Sequence, residues 1–75
     1  MDTATADAIR AFYRLHKAIQ AVAADPHHPG ALEALSNAAY DANAKLGAVG
    51  LLGDEHRARI LALTAELFPD YQPKF

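Results

Sequence analysis

The hexapeptide Asp25-Pro26-His27-His28-Pro29-Gly30 divides the chain at a point that no helix or strand can run through. Proline fixes φ and pushes the residue before it out of helical geometry, so Asp25 ends whatever precedes it. Pro29 suits the first turn of a following helix, where a missing N–H costs nothing. A second interruption, Leu46-Gly47-Ala48-Val49-Gly50-Leu51-Leu52-Gly53, and a third at Pro69 leave three segments of helical length. None of them carries strand-like alternation of useful length.

Each segment has one apolar side. In the first, Ile9, Phe12, Leu15, His16, Ile19, Val22 and Ala23 fall within half of a 3.6-residue wheel, with Tyr13 at the margin and Arg10, Arg14 and Lys17 opposite. Thr3, Thr5 or Asp7 is a suitable cap for its start. In the second, Leu32, Leu35, Ala39, Ala42, Leu46 and Val49 recur at steps of three and four, and Gly47 offers a left-handed stop. The third opens at Asp54, a good cap residue, and presents Ile60, Leu61, Leu63, Leu67 and Phe68. With 18 alanines in 75 residues, helix is also the intrinsic preference. The fold class predicted is all-α: a three-helix bundle with helices at 5–24, 29–46 and 54–68, a single domain over residues 1–75 and an extended C-terminal tail. In such a bundle each apolar stripe is covered by the other two helices.

The same composition narrows the function classes. A domain this short buries about 60% of the surface its unfolded chain exposes, so its stability is marginal. Without cysteine it has no disulfide, thiolate zinc site or cysteine nucleophile. The opening Met1-Asp2-Thr3-Ala4-Thr5-Ala6-Asp7 lacks the basic and apolar regions of a signal peptide, and no apolar run is long enough to span a bilayer, so the expected location is cytoplasmic, away from a membrane. A formal charge of −2 gives no electrostatic reason to expect nucleic acid or an anionic surface as partner. Arg10, Arg14 and Lys17, or His56, Arg57 and Arg59 opening the third helix, read as ordinary solvated charge, and the apolar linker is too long for a helix-turn-helix turn.

The histidines offer the alternative chemistry, a helical protein that binds a metal or a small ligand. His27 and His28 are adjacent and cannot easily point the same way, and a site there needs a further ligand such as Asp25. The surrounding stretch resembles the junction between tetratricopeptide repeats at Ala21, Val22, Asp25, Pro26, Leu32 and Leu35. It departs from that pattern at Ser36, where the repeat has glycine, and no second copy follows at a 34-residue period. The resemblance therefore implies shared helix–turn–helix grammar. His16 and His56 both lie within apolar arcs and could approach each other, with Glu55 nearby as a carboxylate. No ligand spacing of the HExxH kind supports a site, so no metal, cofactor or catalytic residue is assigned and an enzyme is not expected.

The glycine-spaced linker lacks the lysine and hydroxyl residue of a phosphate loop, and Asp54 and Glu55 follow instead. Two arrangements are open to Leu51 and Leu52: folded down to plug the bundle, or exposed to dock a partner. Tyr40 lies off the Leu32–Val49 seam, and the tail carries Phe68, Tyr71 and Phe75. The expected function is therefore a small protein–protein interaction module of regulatory, adaptor, inhibitor or accessory type. Its candidate partner-binding residues are Tyr40, Leu51, Leu52, Tyr71 and Phe75, and its partner is another protein or a second copy of itself.

Overall fold

The structure is a computed structural model, and it describes residues 1–70. Among these, all regular structure is helical: α1 (Thr3–Ala24), α2 (Ala31–Ala48), a 3-10 turn (Asp54–His56) and α3 (Arg57–Leu67). The all-α class and the three-helix architecture are as the sequence predicts. Each helix end is set by local chemistry, although not always by the expected residue. Asp2 caps α1, its carboxylate accepting the Thr5 N–H at 3.3 Å, so the helix starts two residues before the predicted Thr5. α2 begins at Ala31 after Gly30, whose φ of 81° lies in the left-handed region, so Pro29 belongs to the turn. Asp54 opens a tight 3-10 turn ahead of α3, which itself starts at Arg57. Extended Phe68 before Pro69 stops α3.

The end of α2 corrects two expectations together. The helix runs through Gly47 and stops in a Schellman motif at Gly50, with φ of 74°. The Leu51 N–H donates to the Leu46 carbonyl at 2.9 Å, and the Gly50 N–H donates to the Gly47 carbonyl at 3.2 Å. This hydrogen-bond pattern turns Leu51 back onto Leu46, and both join the core. The Cβ that Gly50→Ala adds would meet no atom within 4 Å, so its cost comes from the left-handed backbone alone. That variant is expected to lose about 1 kcal/mol, read as a lower urea midpoint at unchanged m-value.

α1 is the central element. It packs along both α2 and α3, whose backbones lie close to α1 and not to each other, so that α2 and α3 meet only through core side chains. Buried Ala6, Ala8, Ala11 and Ala42 allow the helices close contact. The core comprises Ala8, Ile9, Leu46, Leu51 and Ile60, flanked by partly buried Phe12, Val49, Leu63 and Leu67. Thr64 is also fully buried, a position that apolar patterning alone does not mark. It is tolerated because its hydroxyl donates to the Ile60 carbonyl of its own helix at 2.7 Å. Arg14 bridges to Asp41 at 3.1 Å across α1 and α2, while Lys45 reaches the same carboxylate at 3.2 Å. The Arg14 and Lys45 hydrogen bonds hold the Asp41 carboxyl below its ordinary value. At the end of α3, Phe68 stacks on Tyr13 with centroids 3.9 Å apart, and the Lys17 ammonium lies 5.4 Å from the Tyr13 ring centre.

Candidate functional site

The helix lengths create the site. At about 1.5 Å per residue, the 22 residues of α1 span about 33 Å, the 18 of α2 about 27 Å and the 11 of α3 about 17 Å. α3 lies along the first half of α1, and its end reaches Tyr13 through the Phe68 stack. Among the described residues, the half of the α1–α2 hairpin nearest the Asp25–Gly30 turn is therefore left without a third helix. Ile19 and Leu32, expected in covered stripes, are 43% and 66% exposed there. That corrects the expectation that every apolar stripe is covered.

Helical phase describes this open face. Phe12 and Ile19, seven residues apart, share one side of α1, and Leu32, Ala39 and Leu46 share one side of α2. The register of the Arg14–Asp41 bridge places Ile19 level with Ser36 and Leu32 level with Ala23. Large and small residues thus alternate across the hairpin. No Asp, Glu, Lys or Arg falls on this stripe; Arg10, Arg14, Lys17, Asp41 and Lys45 project from other sides. At its covered end, Phe12, Gly53, Asp54, Arg57 and Ile60 line a groove of about 410 Å³. On another side of the hairpin Ala18, Ala21, Ala31 and Ala34, with Asp25 and His28 at the turn, border a smaller one of about 290 Å³.

The predicted docking residues separate. Leu51 is a correction: at 7% exposure it belongs to the core and is not available to a partner. Leu52, next to it, is 54% exposed. Tyr40 is 80% exposed and lies two i, i+4 steps along α2 from Leu32, on the side turned away from half-buried Ala38 and buried Ala42. Tyr71 and Phe75 lie outside the described residues. Ile19 and Leu32 were missed as surface residues, and the available signal was the shortness of the third apolar segment relative to the first.

The histidines are not gathered. Among the described residues no three or more of His, Cys, Asp and Glu are placed to hold a metal ion. His27 and His28 are exposed in the turn, where the His27 N–H donates to the Asp25 carboxylate at 3.3 Å and His28 Nδ1 lies 2.8 Å from the Pro29 carbonyl. His56 is half-buried, with Nε2 3.7 Å from the Glu55 carboxylate. His16 is 4% exposed, and the Gln20 side-chain amide lies 3.1 Å from its Nε2. An amide N–H can only donate, so this contact suits a neutral ring with its proton on Nδ1.

Burial, and secondarily the Lys17 charge, lowers the His16 pKa from the ordinary 6.5. The unfolded chain therefore binds this proton more readily than the native one. Stability is fully present above pH 6.5 and falls as pH drops through that value toward the lower native pKa. His16→Gln is expected to flatten the fall in unfolding free energy between about pH 7 and pH 5, and an unchanged slope in denaturant titrations counts against this role.

No helix among the described residues is long and apolar enough to cross a membrane. No protein-family model, curated protein or solved structure matches the chain.

Proposed function

We propose that this chain is a small protein–protein interaction module that docks its partner on the open half of the α1–α2 hairpin. The observation that carries the reading is the exposure of Ile19 and Leu32 on one uncharged face. Fully burying a side chain of this kind gains about 1.5–3 kcal/mol, and a contiguous apolar face of this kind is a typical mark of a contact site. Tyr40, 80% exposed on α2, is a further anchor, whereas Leu52 lies against Gly47 at the other end of the hairpin. Tyrosine is well suited to that place, because it buries a large apolar ring while keeping a polar tip. Regulatory, adaptor, inhibitor and accessory subunits all work through such surfaces without chemistry of their own.

The test is photocrosslinking in cell extract from single positions of the folded protein. A photoreactive residue at position 32 or 19 is expected to give discrete adducts, whereas one at position 10, on the charged side of α1, gives few. Equal labelling from all three positions removes the open face as a docking site. Adduct mass identifies the partner class, because a second copy adds 8.0 kDa and a foreign protein adds its own mass.

A further inference from the structure

We infer that His16 is an acid-operated latch on the α1–α2 hairpin: in mild acid the half nearest the Asp25–Gly30 turn opens as a unit, while the half under α3 stays folded. The latch does not depend on the docking reading; only its consequence for a partner does. Two observations of packing carry it.

The first is where burial stops. In α1 the buried residues are Ala6, Ala8, Ile9, Ala11 and His16, and the eight that follow are half-buried or exposed. In α2 burial begins only at Ala42, so the first eleven residues of that helix supply no buried side chain. A stretch with so few buried contacts opens locally, at a free energy below that of global unfolding. His16 is the last buried residue before it.

The second is the chemistry of that last position. At 4% exposure a charged imidazole loses nearly all of its hydration. The Gln20 amide nitrogen, 3.1 Å from Nε2, donates to a neutral ring, and a proton arriving on Nε2 meets that donor unless the amide turns over. On α1 the Lys17 ammonium acts against a second positive charge. On α2 the Asp41 carboxylate is shared by Arg14 and Lys45, and Glu33 and Tyr40 are exposed. On α3 Arg57, Arg59 and Glu66 are exposed. Burial therefore dominates, and it holds the ring below its ordinary pKa of 6.5.

Water relieves a charged ring, and it enters at least cost through the half with fewest contacts to break. The open form binds the proton more readily than the closed one, so its population rises as pH falls through 6.5. Ile19 and Leu32 lie on the two arms that separate. Acid thus dismantles the face on which the partner docks.

Amide hydrogen exchange followed by NMR on the whole chain tests the latch, from about pH 7.5 to pH 5 at several urea concentrations. Protection factors at residues 18–22 and 35–38 are expected to fall about tenfold per pH unit below 6.5. Their urea dependence is expected to be well under that at residues 8–11 and 43–46. In His16→Gln, or in His16→Leu should the first variant fold poorly, the turn-side factors are expected to be flat with pH. Turn-side factors that do not change with pH in the wild type overturn the inference, because the opening then leaves His16 enclosed. So does a common fall of both sets with one urea dependence, since His16 then meets water only in global unfolding. A slope that survives in the neutral variants overturns it as well. The measurement uses no partner, so its failure leaves the docking face to be judged by crosslinking at neutral pH.

Discussion

Leu51→Ala lowers the unfolding free energy by about 3 kcal/mol, while Leu52→Ala, one residue along, changes it by less than about 0.5 kcal/mol. The two leucines are chemically identical and sit in the same glycine-spaced linker. Leu51 follows the left-handed Gly50, and its N–H is committed to the Leu46 carbonyl, which directs the side chain into the cluster with Ala8, Ile9 and Ile60. Truncation there loses the transfer free energy of the removed carbons and leaves a cavity between three helices and the linker. Leu52 is more than half exposed, so truncation removes little buried area. Urea unfolding of the two variants at one temperature decides the matter. Equal losses would mean that the linker does not hold the arrangement described, and a larger loss for Leu52→Ala would invert the assignment of core and surface.

Ile9→Ala carries a comparable penalty, about 3–4 kcal/mol, because Ile9 is a fully buried side chain at the meeting point of α1, α2 and α3. A chain of 75 residues has a total stability of about 4–11 kcal/mol. The loss is therefore about a quarter or more of the whole. With each kcal/mol worth about 4–8 °C in a domain of this size, the thermal midpoint falls by roughly 12–32 °C or the variant does not fold. Ile9→Val, which removes a single methylene, is the milder probe at about 1 kcal/mol and keeps the measurement possible. Ile19→Ala is the internal comparison. It lies in the same helix, ten residues on, and its smaller burial predicts a much smaller loss. If the Ile9 and Ile19 truncations cost the same, the core is not confined to the α3-covered half of the hairpin.

The comparison between those two isoleucines also marks how far the residues themselves lead. Both belong to the apolar arc of the first segment, and nothing within that arc distinguishes them. Asp25-Pro26, Pro29-Gly30 and Pro69 could be read as stops, because proline and left-handed glycine act on the one or two residues beside them. The apolar arcs of α1 and α2 were readable for a similar reason, since a 3.6-residue period is a property of one segment. The linker was harder. Gly47, Gly50 and Gly53 each suit a left-handed stop, and the choice of Gly50 depends on Leu46 and Leu51 closing against each other. That pairing is present in the sequence as a leucine at each end of the Schellman pattern, but Gly47 offers a competing one. Thr64 was not legible as core, because its hydroxyl is satisfied by a carbonyl one turn back and so buries like an apolar group. Of the candidate docking residues, Tyr40 and Leu52 are exposed as a docking role requires, Leu51 is not, and Ile19 and Leu32 enter only once α3 is seen to fall short.

What the sequence determined alone is the number of helices, the positions of the turns and the apolar side of each helix, all consequences of interactions spanning four residues or fewer. What the tertiary structure decided is how much of each apolar side is covered. Coverage depends on where an 11-residue helix comes to rest against one twice its length. That resting place is marked by the Leu46–Leu51 closure and the Phe68 stack on Tyr13, contacts between residues 5 and 55 positions apart in the chain. A local pattern contains no term for such distances, so the open face emerges only from the assembled fold.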